Sequence, residues 1–240
     1  MIEATLAVRV WRGDANGAFR VYDVPRRPAQ TVLDVVTYLQ RQVDPSLAYR
    51  FACRVGMCGS CAMTVNGRAR WTCRTHVDAV VGSGNLEIAP LAQLPVIRDL
   101  VVDMAPFFDK WEKARGRFVA TATCKDDFAR IAPTAPARRA VDAAVECIGC
   151  AVCYASCDVV AWNPSYLGPA ALNRAWTLQN DTRDGARVER QQAIAGDAGC
   201  HACHTQQSCT ERCPKHLSPT TSIAGLKRLS VRAMLDGDVR

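Results

Sequence analysis

Apolar and polar residues alternate through ATLAVRVW near the start of the chain, and FRVYDV repeats that period of two after a turn spanning Gly13 to Gly17. Successive side chains of an extended strand point to opposite faces, so the alternation predicts two half-buried strands joined as a β-hairpin. The period then changes. Val32, Val35, Val36, Leu39 and Val43 recur at helical spacing behind Thr31 and Asp34, a pair suited to capping a helix start. CAMTV and RARWTC flank Asn66-Gly67, a dipeptide that accepts the positive φ angles of a tight hairpin turn, and LEIAPL returns to strand. Hairpin, helix, loop, hairpin and strand in this order make a β-grasp domain whose apolar positions form its core.

Beyond Pro95 the strand signal fades. Ile97, Leu100, Val101 and Met104 form a helical stripe, Pro106 interrupts it, and Phe107, Phe108 and Trp111 follow as an apolar patch. A boundary near residue 105 divides a domain over 1–105 from one over 106–240. IAPTAPARR (131–139) reads as a surface connection, and ALNRAWTL and SIAGLKRLSVRAML supply helices to the second domain.

Thirteen cysteines in 240 residues change the picture, because most fall at iron-sulfur spacing. Cys53, Cys58 and Cys61 make C-x4-C-x2-C with Cys73 as a distant fourth, the arrangement of a plant-type [2Fe-2S] cluster. Gly56 and Gly59 stand between the ligands, where the backbone must curl round bridging sulfides with no Cβ in the way. A zinc knuckle fits less well, since zinc favours two C-x2–4-C pairs and only one is present here.

The second set is C-x2-C-x2-C-x3-C from Cys147 to Cys157, answered by C-x5-C-x3-C-P from Cys203 to Pro214. In two-cluster bacterial ferredoxins the last cysteine of such a run ligates the other cluster. The same crossing predicts Cys147, Cys150, Cys153 and Cys213 around one [4Fe-4S] cluster, leaving Cys157, Cys203 and Cys209. Three thiolates suit a [3Fe-4S] centre, and Val160 offers no fourth ligand; a [4Fe-4S] cluster with a non-cysteine ligand is the alternative. Asp158 stands where a proline often follows the fourth cysteine. Spacing also admits Cys200 in place of Cys203, although C-x5-C-x3-C-P is the tighter pattern, and Cys124 has no spaced partner. His201, His204 and His216 lie nearby, but the 53–73 segment holds no histidine, which excludes a Rieske site there, and His76 reads as a surface residue. The fold class is therefore α+β: an N-terminal β-grasp plant-type ferredoxin domain followed by a mainly α-helical bacterial-ferredoxin-like domain.

Composition narrows the function. A hydrophobic content of 49% is ample for packed cores, and thiols that receive iron and sulfide imply a reducing, intracellular compartment. MIEATLAVRV lacks a basic start followed by an apolar run, and no segment approaches the roughly 20 apolar residues of a bilayer span, so a chain soluble on its own is expected. The net charge of +7 comes from dispersed Lys and Arg without a nucleic-acid motif, which argues against nucleic acid and for a solvated basic surface, or one meeting an acidic partner or lipid headgroups. No G-x-G-x-x-G or Walker sequence and no acid-base dyad occurs, so the chain reads as an electron conduit that does not itself perform organic chemistry.

CRVGMCGSCAMTVNG (53–67), PVIRDLVVDM (95–104), CIGCAVCYASC (147–157), NPSYLGPAAL (163–172) and CTERCPK (209–215) together resemble the iron-sulfur subunit of succinate dehydrogenase and fumarate reductase. The resemblance implies a partner flavoprotein with covalent FAD that interconverts succinate and fumarate, and membrane anchor subunits, with or without haem, where quinone binds. It implies single electrons passing through the three clusters, with the [2Fe-2S] end facing the flavoprotein and the Cys157 cluster facing the anchor. It also implies a peripheral position on the cytoplasmic side of the inner membrane. Trp162 and His204 match family positions beside the quinone headgroup, whereas Asp158-Val159 and Ala161-Trp162 replace the Pro-Ser and Trp-Trp pairs of other members. Two other readings are the subunit of a soluble, thiol-linked fumarate reductase and a non-enzymatic iron-sulfur sensor or scaffold.

Overall fold

The alternation through the first residues becomes β1 (Thr5–Arg12) and β2 (Ala18–Pro25), paired antiparallel along their full length. The structure, a computed structural model, describes residues 5–82 and 84–237, so the first four residues of MIEATLAVRV lie outside the described residues. After these strands come α1 (Val32–Tyr38), β3 (Ala62–Val65), β4 (Arg68–Trp71), α2 (Asp78–Val81) and β5 (Leu86–Ala89). The five strands form one sheet in the order β2-β1-β5-β3-β4, with β5 parallel to β1 and the other pairings antiparallel. This is the β-grasp arrangement. Leu6, Val8 and Val10 of β1, Met63 and Val65 of β3 and Leu86 and Ile88 of β5 meet Val32, Val35, Val36 and Leu39 in one apolar core. Burying each such side chain contributes about 1.5–3 kcal/mol.

Local chemistry sets the element ends. The Thr31 hydroxyl accepts from the Asp34 N–H at 3.2 Å while the Asp34 carboxylate accepts from the Thr31 N–H at 3.0 Å, a complete capping box. Asn66 (φ 47°) and Gly67 (φ 71°) form the left-handed pair between β3 and β4. The helix beginning at Val32 does not stay regular through Val43: residues Leu39–Val43 form a π-helical turn, whose extra residue rotates Val43 out to 46% exposure and off the apolar stripe.

The helical stripe at 97–104 is overturned. Those residues form β6 (Val96–Arg98) and β7 (Val101–Val102), an antiparallel pair turning at Asp99 (φ 52°). Long-range hydrogen bonds override the local period: the Asp99 carboxylate accepts from the N–H groups of Gly13 (2.7 Å) and Ala48 (2.8 Å) and from Arg12 Nε (3.0 Å). Pro106 does not interrupt a helix either. It lies in the first turn of α3 (Ala105–Lys113), where the missing N–H has no helical partner to lose.

The chain divides into two units, one made of residues up to Met104 together with Ile148–Ser156, the other of Ala105–Cys147 together with the residues from Cys157 onward. The inserted segment carries α5 (Val152–Ala155), which packs against β4 within the first unit. The second unit contains α3, α4 (Pro136–Ala140, overlapping the end of the mostly exposed 131–139 stretch), α6 (Asp158–Trp162), α7 (Pro169–Gln179), α8 (Arg187–Ile194), α9 (Ser208–Glu211) and α10 (Pro219–Leu235). Helix α7 is buried along most of its length and packs on α10, where Gly225 lies so close to Trp176 that a Cβ would meet the ring at 2.5 Å. Asn173 joins the layers by donating to the Ala144 carbonyl (3.0 Å) and accepting from Ser222 Oγ (2.8 Å). Arg190 and Asp184, both with fully buried side chains, pair through two bonds of 2.8 and 3.0 Å.

Candidate iron-sulfur centres

The first cysteine set occupies the loop between α1 and β3 and the turn after β4, all in the first unit. Arg54 (φ 59°), Gly56 (φ 75°) and Gly59 (φ 72°) take left-handed conformations that fold the loop back on itself. The N–H groups of Met57 and Cys58 consequently point at Cys53 Sγ, at 3.2 and 3.3 Å. Non-glycine residues in this conformation cost roughly 1–2 kcal/mol each, so the strain at Arg54 marks this loop as a candidate functional site. Cys61 and Cys73 are buried, and Cys53 and Cys58 half-buried. The Cys53 N–H and the Ser60 hydroxyl lower the Cys58 thiol to about 6. Burial pushes Cys73 up to about 11, and the neighbouring Cys61 and Cys53 add to the rise. A favourable anion beside an unfavourable one, with inward N–H donors, fits a polynuclear iron centre that neutralises four crowded thiolates.

Cys157, Cys203 and Cys209 are brought together in the second unit. Burial raises the thiols of Cys157 and Cys209, and mutual repulsion with Cys203 raises both further. Tyr166, only 1% exposed, lies against all three and hydrogen-bonds to Cys203; burial, followed by the three thiols, keeps its phenol protonated. Lys110 fixes the turn beneath it by donating to the carbonyls of Pro164 and Tyr166 at 2.5 Å each. Thr205 (φ 59°) turns its N–H toward Cys203 Sγ at 3.4 Å, and Lys227 donates to the Cys203 carbonyl at 2.7 Å. Three crowded thiolates, two of them buried and Cys203 half-buried, are costly without a matching cation, and the chemistry of this donor set fits an iron-sulfur centre.

Cys150 and Cys153 belong to the first unit, and Cys147 and Cys213 to the second. Within the second unit, a 3.0 Å bond between Glu146 and Lys215 draws the residue before Cys147 toward the chain just past Cys213. Gly149 (φ 66°) and Ala151 (φ 61°) bracket Cys150 with left-handed residues. Cys200 is fully buried beside Ser230 and Lys227, and Cys124 is exposed. Among the described residues no three His, Cys, Asp or Glu side chains converge as ligands of a single metal ion.

Trp162 and His204 stand edge to face with ring centroids 6.1 Å apart, Trp162 at 61% exposure. His201 instead shares a 2.6 Å bond with Ser230, and the backbone of the exposed His76 bridges to Thr31. Sequence reasoning assigned no role to Tyr166, Lys110 or Lys227. Tyr166 stood in the stretch NPSYLGPAAL, but only packing within the second unit brings its phenol to Cys203.

The 2Fe-2S iron-sulfur cluster binding domain family matches residues 7–109, and the 4Fe-4S dicluster domain family matches residues 146–218. The chain is 37% identical over 203 residues to the mitochondrial succinate dehydrogenase (ubiquinone) iron-sulfur subunit 1 of Oryza sativa subsp. japonica, covering 84% of this chain and 72% of that protein. It is 33% identical over 220 residues to the fumarate reductase iron-sulfur subunit of Haemophilus influenzae, covering 88% and 85% respectively. Among solved structures it resembles a chain of the Mycobacterium smegmatis Sdh1 complex in the apo form, with a TM-score of 0.84, 29% identity and coverage of 97% and 98%. No described helix is long and apolar enough to cross a membrane.

Proposed function

We propose a role from the premise that this chain belongs to the family of succinate dehydrogenase and fumarate reductase iron-sulfur subunits: it relays single electrons between the flavin of a flavoprotein partner and a quinone held by membrane anchor subunits. Cys53, Cys58, Cys61 and Cys73 hold a [2Fe-2S] cluster, Cys147, Cys150, Cys153 and Cys213 a [4Fe-4S] cluster, and Cys157, Cys203 and Cys209 a [3Fe-4S] cluster. Once bound, these clusters supply one-electron carriers. The residues of the chain do the remaining work: inward N–H groups steady the thiolates, burial or half-burial limits water at the sulfurs, and the fold fixes the spacing. Domains over 1–105 and 106–240 carry the relay, the second lending Ile148–Ser156 to the first unit.

The carrying observation is that two cysteine-bearing regions match two iron-sulfur domain families while the three-cysteine set gathers around the buried Tyr166. Val55 (61% exposed) and Met57 (66%) at the tip of the first loop suit a protein partner there. At the other end, the exposed Trp162 beside His204 offers an indole N–H and an imidazole to a quinone. Anaerobic purification of the complex from membranes should give iron and sulfide matching one [2Fe-2S], one [4Fe-4S] and one [3Fe-4S] centre per chain. Zinc in their place would overturn the reading.

Trp162→Leu and His204→Ala should leave cluster content and succinate oxidation with an artificial dye intact, while quinone reduction loses about 1–3 kcal/mol of stabilisation. Equal losses in the dye and quinone assays would remove both residues from the quinone site.

A further inference from the structure

Gly59 lies between Cys58 and Cys61 with φ +72°, and a Cβ placed on it would stand 2.5 Å from Cys150 Cβ, 3.1 Å from Cys150 Cα and 3.4 Å from Ile148 Cδ1. Both segments belong to the first unit. Atoms do not pack at 2.5 Å, so any side chain at position 59 forces the two cysteine-bearing segments apart. Gly56 has nearly the same backbone, φ +75°, but different surroundings: Arg74 Cγ at 3.1 Å, Trp71 Cζ3 at 3.3 Å and Arg74 Cδ at 3.4 Å. Curling of the loop accounts for both glycines. Only Gly59 must also be bare because a cysteine of the other set is seated on it.

Resting on the ligand reading above, we propose that Gly59 is a positioning residue: its bare Cα sets the closest approach between the [2Fe-2S] loop and Cys150, and thereby the gap that one electron crosses between the two centres. From Cys58 the covalent path runs one residue to Gly59, then makes a single van der Waals step to the Cβ that bears the Cys150 sulfur. The step balances, since one centre is oxidised by one electron, the other is reduced by one, no bond forms or breaks and no proton moves. Tunnelling falls exponentially with the gap, so a displacement of an ångström or less is enough to slow it.

The test uses the intact complex and its variants, with both centres reduced, and reads the microwave-power saturation of the [2Fe-2S] paramagnetic signal. In the parent, the neighbouring reduced centre should speed the relaxation of this signal. Gly59→Ala should keep iron and sulfide content yet lose much of that enhancement, and rapid-freeze samples should show slower arrival of the electron at the second centre. Gly67→Ala, in the β3–β4 turn at φ +71° with nothing within 4 Å of its Cβ, carries the same positive-φ strain without the Cys150 contact and should keep the parent's relaxation. Unchanged enhancement in Gly59→Ala, or equal loss in both variants, overturns the proposal. Where Gly59→Ala fails to hold its cluster, the parent decides: coupled relaxation of its two reduced centres upholds the contact, and independent relaxation overturns it. Absence of either centre from the parent's iron and sulfide count would instead overturn the ligand reading, before any spin measurement.

Discussion

Cys200 and Cys203 are three residues apart in sequence and chemically identical, yet their surroundings separate them. Cys203 faces Cys157, Cys209 and Tyr166, whereas Cys200 is fully buried against Ser230. Cys200→Ser should therefore retain the oxidised paramagnetic signal of the three-thiolate centre, and Cys203→Ser should abolish it; exchanged behaviour would reverse the assignment. Tyr166 permits a subtler test, because a hydrogen bond to a ligand sulfur favours the reduced, more negative cluster and raises its potential. Tyr166→Phe keeps the ring and removes the donor. The midpoint potential of that centre should fall in a redox titration followed by electron paramagnetic resonance, and an unshifted midpoint with full iron content would show that the hydroxyl only fills space.

Elements governed by local chemistry were legible in the sequence, and those governed by distant partners were not. The capping box at Thr31 and Asp34 and the Asn66-Gly67 turn are short-range signals, and both stand where the pattern put them. Thr31→Ala should cost about 1 kcal/mol in denaturant unfolding, since one orphan helical N–H loses its acceptor. The stripe at 97–104 misled because Asp99 is fixed by Gly13, Ala48 and Arg12, none of them near in sequence. The proposed cluster ligands can be named from the sequence because their spacing is itself local, but Arg54, Ala151, Thr205 and Gln207, the left-handed residues around them, carry no compositional mark. At Gly225 two effects oppose each other: alanine gains up to about 1 kcal/mol of helix propensity, and its Cβ collides with the Trp176 ring. Overpacking at about 1–3 kcal/mol outweighs the gain, so Gly225→Ala should lower the unfolding midpoint.

Across the whole molecule, two buried ionic knots tie stability to acidity. Burial alone would raise the carboxyls of Asp99 and Asp184, but backbone N–H groups and the facing Arg12 or Arg190 outweigh it and hold both below the ordinary value. The Ser46 hydroxyl, helped by Arg12 and Tyr22, holds Asp44 low as well. An unfolded chain therefore binds more protons near pH 4, so the stability these groups contribute is complete above their unfolded values near about 3.9 and is lost as pH falls through the folded ones. Thermal unfolding of the purified complex should show little dependence on these groups from neutral down to about pH 5 and a steep loss below about pH 4. Asp184→Asn, which leaves Arg190 buried and unpaired, should cost about 3–5 kcal/mol and remove its share of that acid dependence. The insertion of Ile148–Ser156 into the first unit also imposes an order of events during synthesis. When the ribosome has released the β-grasp sheet, the segment that closes over Gly59 has not yet been made, so the sheet forms from near contacts and waits for a distant one. Until that segment arrives the first cysteine loop lies open to whatever delivers its iron, and its arrival shuts that side.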